Sequence, residues 1–296
     1  MPELPEVHTT VTGLATVLPG LTITDVWSDW PKQIKSHEFK KFRKLLIGKK
    51  FLSVSRKAKN VLLHLGPGDG DTQDSPLGPV SEGSPVCSEF LTLRVHMKMT
   101  GQLLFDRPDS KYIHQRFYLS QKHELSFSDL RKFGRIELIV TDKLHEHESL
   151  RLLGPEPFAK SLTPRKLAEL LLKRKNAPIK QALLDQNLIA GIGNIYGDEI
   201  LWESDILPNR TVKSLTPKDF TTILRVMRKI LTFSIKHGGD SMSDYRNIYG
   251  EKGGFQNFHK AYHQTGKACT KRGCSGIIER MKIGARSAHF CRTHQK

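Results

Sequence analysis

Long apolar runs are absent from this chain of 296 residues. No stretch approaches the roughly 18 consecutive apolar residues that a membrane-spanning helix needs, so the sequence predicts no membrane segment and no membrane partner. Residues 1–7 also lack the basic and then apolar order of a signal peptide, because they carry two acids and two prolines. We therefore expect the protein to act inside the cell.

Cysteine is scarce as well, with four in the whole chain. Intracellular proteins rarely hold disulfides, so a disulfide framework is not expected. Three of the cysteines and one histidine form two close pairs near the C-terminal end: Cys269, Cys274, Cys291 and His294. Three thiolates and an imidazole can close a tetrahedron around zinc and leave no open position. The spacing predicts one structural Zn²⁺ ion.

Acidic residues are outnumbered by basic ones, with 30 Asp and Glu against 47 Lys and Arg. The net charge is +17 and the pI is about 9.7. Such an excess attracts polyanions, and a pI above about 9 is typical of nucleic-acid-binding domains. A basic protein without a nucleic-acid partner is the alternative that charge alone leaves open.

Apolar periodicity predicts an α+β protein of several domains. Residues 2–18 show helical spacing, and alternating apolar residues between positions 21 and 140 predict short strands. Among these, Leu52 and Val54 set one strand pattern, and the alternation from Leu91 to Met99 predicts another strand. We interpret residues 1–150 as a β-sandwich domain with an N-terminal helix. The run at 66–86, rich in Gly, Pro, Asp and Ser, predicts a flexible insertion between two strands.

The second half of the chain has a helical pattern. Thr163-Pro164 and Thr216-Pro217 are each a cap residue followed by proline at the first helical position. We interpret 151–260 as a helical domain and 261–296 as a zinc-binding β-hairpin. Apolar residues at helical spacing predict a core stripe in the long second helix: Phe220, Ile223, Leu224, Met227 and Leu231.

A series of short motifs follows along nearly the whole chain. They occupy residues 2–7, 56–59, 99–101, 129–134, 153–157, 179–186, 191–196 and 244–256. In this order they resemble the motifs of the formamidopyrimidine-DNA glycosylase family. The resemblance implies a helix-two-turn-helix within the helical domain, a lesion-recognition loop at 240–260 and a C-terminal zinc finger. The metal site departs from the family pattern in two ways, since its first pair is two residues longer and His294 replaces a fourth cysteine; the insertion that begins at residue 66 also has no counterpart in the family pattern.

The resemblance assigns the chemistry to four residues. Removal of Met1 would leave Pro2 as an N-terminal secondary amine and nucleophile, with Glu3 as general acid/base. Lys59 would supply a proton for β-elimination, and Arg286 would assist δ-elimination; both would bind phosphate. From residue type alone, Lys59 also fits a basic surface strand and Arg286 a solvated charge.

The resemblance also implies DNA contacts. Met99, Arg131 and Phe133 match the side chains that fill the void left by a flipped nucleotide. Four further residues are expected to contact DNA: Tyr112, Lys175, Lys180 and Asn194. Tyr112 stands where the family often has histidine. Gly191 and Gly193, in the turn before Asn194, are expected to let the backbone approach a phosphate, and a tight packing turn is the alternative.

The expected activity is removal of oxidised purines from duplex DNA, followed by strand cleavage, by a monomeric enzyme. Two alternatives stay open at this point. One is an endonuclease VIII-type glycosylase for oxidised pyrimidines, and the other is a non-catalytic zinc-containing DNA-binding protein.

Overall fold

A computed structural model describes residues 1–68 and 90–296 of the chain. From residue 69 onwards, the predicted insertion at 66–86 lies outside the described residues. Within the described ranges, no helix is long and apolar enough to cross a bilayer. The chain forms two compact units: an N-terminal unit of Met1–Pro2, Glu6–Arg151 and Asp240–Gly253, and a C-terminal unit of Glu3–Pro5, Leu152–Gly239 and Gly254–Lys296.

The N-terminal unit contains two antiparallel four-stranded sheets. Its helices are α1 (Leu4–Val17, which begins in the other unit), α2 (Phe39–Leu46) and α3 (Glu148–Arg151). One sheet has the order β1 (Ile23–Ser28), β6 (Ile113–Leu119), β7 (Glu124–Asp129), β5 (Gly101–Phe105). The other has the order β2 (Lys50–Lys57), β3 (Asn60–Gly66), β4 (Leu91–His96), β8 (Arg135–Val140). The predicted β-sandwich with an N-terminal helix is confirmed.

Helix α1 and both sheets share one apolar core. The buried face of α1 carries Val7, Val11, Leu14 and Leu18. On β2 the register shifts between Phe51 and Ser53, so Phe51 enters the core whereas Leu52 is 45% exposed. A bulge of this kind reverses the side on which a residue points, so the simple alternation that the sequence suggested through Leu52 does not hold.

The link between β4 and β5 is a tight turn, where the sequence pattern had suggested a continuous strand to Met99. Strand β4 ends at His96, and Lys98 adopts a left-handed conformation with φ +55°. The N–H of Gly101 donates to the carbonyl of Met97 at 2.9 Å. A Cβ at position 101 would lie 2.4 Å from that carbonyl oxygen, so the turn requires glycine. Met99 is consequently 41% exposed and does not enter the core.

The C-terminal unit has a helical part and a β-hairpin. Its elements are α4 (Pro164–Leu171), α5 (Ile179–Leu183), α6 (Asn194–Glu203), α7 (Pro217–Lys236), β9 (Glu279–Ile283) and β10 (Arg286–Phe290). Thr163 caps α4 by accepting from the N–H of Lys166, and Thr216 and Asp219 form a reciprocal capping box on α7. The predicted apolar stripe of α7 is buried. Helical domain and hairpin are therefore both present as predicted.

Residues 240–253 pack with the N-terminal unit, although the sequence interpretation grouped 240–260 with the helices. Ile248 is fully buried in the sandwich core, and its carbonyl accepts from the N–H of Phe105 at 2.8 Å. Gln102 donates to the carbonyl of Asp244, and Glu6 Oε1 accepts from the N–H of Asp240 at 2.8 Å. One apolar anchor and several backbone hydrogen bonds thus hold this segment.

Candidate functional site

The N-terminal end of α6 is built around a buried carboxylate, that of Glu3. Its Oε2 accepts from the N–H of Gly193 at 2.6 Å, and its Oε1 accepts from the N–H of Ile195 at 2.9 Å. A Cβ at position 193 would lie 2.5 Å from Glu3 Cδ, so any larger residue there would displace the carboxylate from these donors. A helix N-terminus offers free N–H groups and partial positive charge, which hold the carboxylate in one orientation.

The same turn holds the next residue. Leu4 donates its N–H to the carbonyl of Gly191 at 3.0 Å, and a Cβ at position 191 would lie 2.7 Å from Leu4 Cδ1. The glycines at 191 and 193 were interpreted from sequence as room for a phosphate. In the structure they make room for residues 3 and 4 of the chain itself. Pro2, the preceding residue, is also buried.

Lys59 lies in the tight turn between β2 and β3. Ala58 adopts a left-handed conformation with φ +54°, and its carbonyl accepts from Arg56 Nη1 at 2.9 Å. Asn60 Nδ2 donates to the carbonyl of Lys57 at 2.9 Å, which closes the turn. Lys59 is only 6% exposed. This burial does not fit the alternative of an ordinary basic surface strand.

His96, at the end of β4, was overlooked in the sequence. Burial, together with the cations of Lys98, Arg94 and Lys59, lowers the pKa of His96 to about 3. The imidazole is therefore neutral at pH 7. Its Nδ1 accepts from the N–H of Lys98 at 3.0 Å, so Nε2 carries the proton and is the donor of the ring. The sequence signal that could have identified His96 is its position at the end of a strand, directly before the turn at 97–100.

Lys180 lies in the interior of the C-terminal unit, where its side chain is 1% exposed. Its Nζ pairs with Asp198 Oδ1 at 2.5 Å and donates to the carbonyl of Ser287 at 2.5 Å. Asp198 Oδ2 accepts from the backbone N–H of His289 at 3.1 Å and bonds its Nδ1 at 2.8 Å. Asp198, which the sequence did not single out, thus joins α5, α6 and β10.

The charge of Lys180 acts on two predicted catalytic residues of the same unit. Burial and the like charge of Arg286 lower the pKa of Lys180, although the carboxylates of Asp198 and Glu3 oppose that shift. Arg286 itself is exposed at the start of β10, directly after the hairpin turn. The C-terminal unit therefore places Lys180 within electrostatic reach of both Glu3 and Arg286.

The other predicted phosphate contacts of this unit differ in exposure. Lys175 is exposed in the segment before α5, and its backbone pairs with that of Lys213. Asn194 is half-buried at the first position of α6. Of the lysines proposed from sequence in this unit, Lys175 is thus open to solvent whereas Lys180 is enclosed.

Met99, Arg131 and Phe133 come together on the surface of the N-terminal unit. Arg131 Nη1 lies 3.1 Å from Met99 Sδ, and its guanidinium lies 4.7 Å from the centre of the Phe133 ring. Met99 is 41% exposed and Phe133 is 53% exposed. Large apolar side chains held at the surface beside a cation are suited to contact a partner.

Tyr112 is exposed and adopts a left-handed conformation with φ +61°. His114, two residues later, is buried, and its Nδ1 bonds Asp29 Oδ1 at 2.8 Å. The histidine of this segment is thus engaged within the unit, and Tyr112 is the side chain presented to solvent.

The predicted metal ligands converge. One ligand atom from each of Cys269, Cys274, Cys291 and His294 lies within 4.8 Å of all the others, so the cluster could hold a metal ion. Cys269 Sγ lies 3.3 Å from His294 Nδ1, and Cys274 Sγ lies 3.6 Å from Cys291 Sγ. His289, the nearby alternative, bonds Asp198 and is not part of this cluster.

Neighbouring groups determine the pKa values of Cys269 and Cys291 and the orientation of the His294 ring. Burial raises the pKa of Cys269 to about 11. Burial also acts on Cys291, but hydrogen bonds from the backbone and ring of His294 outweigh it and lower the pKa of Cys291 to about 6. His294 Nε2 donates to the carbonyl of Trp202 at 3.1 Å, so Nδ1 is the ring nitrogen that a metal ion could use.

Comparison with known families matches most of the chain. Residues 1–136 match the formamidopyrimidine-DNA glycosylase N-terminal domain, and residues 153–246 match the formamidopyrimidine-DNA glycosylase H2TH domain. A formamidopyrimidine-DNA glycosylase of Pelotomaculum thermopropionicum is 38% identical, with 100% of this chain and 99% of the relative covered. That of Chloroflexus aurantiacus is also 38% identical, with 100% and 98% covered.

Solved structures show the same likeness. A complex between the Lactococcus lactis Fpg and an abasic site containing DNA superposes with a TM-score of 0.84 at 30% identity, over 99% of each chain. MutM in complex with carbocyclic 8-oxo-G containing DNA also superposes with a TM-score of 0.84 at 30% identity, over 100% of each chain.

Proposed function

The chain belongs to the formamidopyrimidine-DNA glycosylase family and is a DNA glycosylase with AP lyase activity whose partner is DNA; from this premise we propose that it removes oxidised purines from duplex DNA inside the cell. The proposed lesions are 8-oxoguanine and formamidopyrimidines, and the proposed cleavage is β,δ-elimination through Pro2. The observation that carries the proposal is the carboxylate of Glu3, fixed by two N–H donors at the start of α6 and next in sequence to Pro2.

The proposed chemistry starts at the amine of Pro2 after removal of Met1. A terminal amine has a pKa of about 7.7–8.0, so an appreciable fraction is unprotonated and nucleophilic at neutral pH. Its nitrogen bonds to C1′ of the damaged nucleotide and gives up its proton, and the damaged base leaves with its bonding electrons and takes up a proton. The C1′–O4′ bond then breaks as O4′ is protonated, and a cationic iminium forms, which accepts the electron pair of the C2′–H bond when that hydrogen leaves as a proton.

Glu3 is the proposed general acid/base. Each carboxylate oxygen is oriented by a backbone donor, and a carboxylate so oriented can take up and release a proton. In this position Glu3 protonates O4′ as the sugar ring opens. The iminium acidifies the hydrogen on C2′, and its loss expels the 3′ phosphate; a second elimination expels the 5′ phosphate and leaves a one-nucleotide gap.

Lys59 and Arg286 are the proposed cations for these eliminations. Lys59 supplies a proton during β-elimination, and Arg286 binds phosphate and assists δ-elimination. Neutral His96 adds an Nε2 donor beside Lys59 without adding charge. Lys175 and Asn194 are proposed to bind backbone phosphates, which positions DNA without reading its sequence.

Lys180 receives a different role from the one suggested by the sequence. Both of its partners are internal, so we assign it to positioning and not to direct phosphate contact. It fixes the carbonyl of Ser287 next to Arg286, and its charge faces Glu3.

Recognition of the lesion requires that the damaged nucleotide leave the DNA duplex. Met99, Arg131 and Phe133 are proposed to occupy the space it vacates: methionine as a flexible apolar filler, arginine as a partner for the orphaned base, and phenylalanine as a wedge. Exposed Tyr112 is proposed to contact DNA alongside them. Residues 240–260 are proposed to cover the extruded base.

The cluster of Cys269, Cys274, Cys291 and His294 is proposed to hold one structural zinc ion. Tetrahedral zinc with bonds of about 2.3 Å to sulfur and 2.0–2.1 Å to nitrogen sets sulfur–sulfur distances near 3.8 Å and sulfur–nitrogen distances near 3.5 Å. The observed 3.6 Å and 3.3 Å are close to these values. Four protein ligands leave no open position, so the ion would supply rigidity to the hairpin that carries Arg286 and would not take part in the reaction.

A substrate comparison tests the proposed lesion class. Matched duplexes carry 8-oxoguanine, a formamidopyrimidine or thymine glycol at one position, and single-turnover excision is measured on each. We expect faster excision of both purine lesions, because all three void-filling candidates are present. Preference for thymine glycol would favour an endonuclease VIII-type enzyme, and binding without excision on any lesion would favour a non-catalytic protein.

The role of Glu3 is tested by Glu3→Gln. The amide keeps one acceptor oxygen but cannot give or take a proton, so base excision should fall by two or more orders of magnitude, within the range of about 10²–10⁴-fold typical of general acid/base groups. The matched control is Glu203→Gln, which makes the same change at the C-terminal end of α6 and should leave excision unchanged. Equal excision by Glu3→Gln and wild type would remove Glu3 from the mechanism.

A further inference from the structure

Three loops of the N-terminal unit meet at one buried carboxylate, that of Asp129 at the end of β7. Asp129 is 0% exposed. Within residues 1–68 and 90–296 it forms no salt bridge, and its side-chain partners are hydrogen-bond donors. The three loops are residues 30–38, residues 97–100 and residues 130–134.

Each loop donates one hydrogen bond to this carboxylate. Oδ2 accepts from Gln33 Nε2 at 2.9 Å and from the N–H of Gly134 at 2.7 Å. Oδ1 accepts from Thr100 Oγ1 at 2.5 Å. Thr100 Oγ1 in turn accepts from the N–H of Arg131 at 3.1 Å. Asp129 therefore fixes both ends of the loop 130–134 and joins it to the turn at 97–100.

Two of these loops, residues 97–100 and 130–134, carry the void-filling candidates. Met99 directly precedes Thr100, and Arg131 and Phe133 lie between Asp129 and Gly134. The anchor is fully buried whereas the three side chains are exposed. Inserting flexible side chains into DNA costs conformational entropy, and a backbone that is already fixed lowers that cost.

The first loop adds the cation of Lys32 near Lys132, the residue that lies between Arg131 and Phe133 in the third loop. Gln33 is buried at 1% exposure, and its neighbour Lys32 lies 5.2 Å from the centre of the Trp30 ring. Lys132, from the third loop, lies 4.3 Å from the same ring. Through Gln33 and Asp129 this cationic edge is tied to the void-filling side chains.

From these contacts we infer that Asp129 is a positioning residue, which holds Met99, Arg131 and Phe133 as one preorganised wedge for nucleotide extrusion. The inference rests on the proposed function, because it assigns the triad to DNA. It concerns the step in which the duplex opens, and not the chemistry at Pro2. An abasic site that is already unpaired makes a smaller demand on the wedge than an intact 8-oxoguanine pair, since extrusion is easiest at damaged or unpaired positions.

The test uses Asp129→Asn and Thr100→Val. An asparagine amide has one acceptor oxygen where the carboxylate has two, and valine removes the hydroxyl that links Asp129 to Arg131. The matched control is Thr92→Val. Thr92 is a fully buried threonine of β4, and its hydroxyl bonds the side chains of His64 and Thr141. Single-turnover excision of 8-oxoguanine should fall about tenfold or more in both test variants, since a misplacement of about 1 Å can cost up to roughly 100-fold. Cleavage at a preformed abasic site that has no nucleotide opposite it should stay within threefold of wild type. The control should match wild type on both substrates.

Duplex opening is measured directly with 2-aminopurine opposite the damaged position. Wild type should raise its fluorescence on binding, and Asp129→Asn should raise it less at saturating protein. This signal does not require excision, so it tests the wedge even if the lesion class proposed above is wrong. Equal fluorescence gain in Asp129→Asn and wild type would overturn the inference.

A double-mutant cycle separates positioning from general destabilisation. In a background with Met99, Arg131 and Phe133 all replaced by alanine, Asp129→Asn should change excision by less than twofold, because its effect acts through those side chains. If Asp129→Asn instead reduces excision equally in both backgrounds, or reduces abasic-site cleavage as strongly as 8-oxoguanine excision, its role is structural and the inference is wrong.

Discussion

Replacement of Asp198 by alanine should destabilise the C-terminal unit by about 3–5 kcal/mol, the usual cost of removing one partner from a buried ion pair. Lys180 and Asp198 are 1% and 0% exposed at their side chains, so water cannot replace the lost carboxylate. The ammonium of Lys180 would lose its ion-pair partner and keep its hydrogen bond to the carbonyl of Ser287, and the N–H of His289 would lose its acceptor.

Urea unfolding of zinc-loaded protein measures this effect. The chain has three tryptophans, and in a background with Trp27 and Trp30 replaced by phenylalanine, Trp202 alone reports on the C-terminal unit, where it is 4% exposed. The matched control is Glu169→Ala, which breaks ion pairs with Arg165 and Lys166 whose side chains are all 48% or more exposed. Exposed pairs are solvated and screened, so the control should unfold at the urea concentration of wild type.

A compensating variant separates the lost partner from lost volume. Lys180→Met combined with Asp198→Leu removes both charges, so it should recover most of the stability, as apolar replacements of buried pairs commonly do. Excision should nevertheless stay low in the double variant, because the charge of Lys180 near Glu3 and the support of Ser287 are gone. If Asp198→Ala lowers the free energy of unfolding by less than about 1 kcal/mol, the value for exposed pairs, the interpretation of Asp198 as a buried link is refuted.

Three further outcomes are expected. Metal analysis should find one zinc per chain, lost in His294→Ala and kept in His289→Ala; the reverse pattern would identify a different fourth ligand. Arg286→Ala should lower the salt dependence of DNA binding by about 0.9 in log–log slope, the value for one phosphate contact, weaken binding to damaged and undamaged DNA alike, and shift products from δ- towards β-elimination; unchanged slope and products would leave Arg286 a solvated charge. Thr216→Ala should destabilise α7 by about 1 kcal/mol through loss of its cap, whereas Thr221→Ala, inside the same helix, should have a smaller effect on the urea midpoint.

Features set by local chemistry were predictable from the sequence. The caps at Thr163 and Thr216 depend on residues within one helical turn, and the stripe of α7 depends on periodicity. The metal cluster followed from ligand type and spacing. The motifs, taken in order, identified the family that the comparisons then matched.

Features that depend on contacts between distant segments were not predictable. The carboxylate of Glu3 reaches the N–H of Ile195, which lies 192 positions later, and that contact explains the glycine at 193 better than a phosphate does. Burial of Lys180 depends on Asp198 and Ser287, and no local pattern links these residues. The segment 240–253 packs with the sandwich because Ile248 enters its core, a pairing that periodicity does not reveal.

Covalent trapping at Pro2 tests the central claim most directly. Mature protein is incubated with a duplex containing 8-oxoguanine or an abasic site in the presence of borohydride, and the adduct is digested for mass spectrometry. We expect one covalent protein–DNA complex, with the sugar remnant on the nitrogen of Pro2 in the N-terminal peptide. An adduct on a lysine, or trapping and cleavage by mature Pro2→Gly protein as efficient as those of wild type, would place the nucleophile elsewhere and contradict the account.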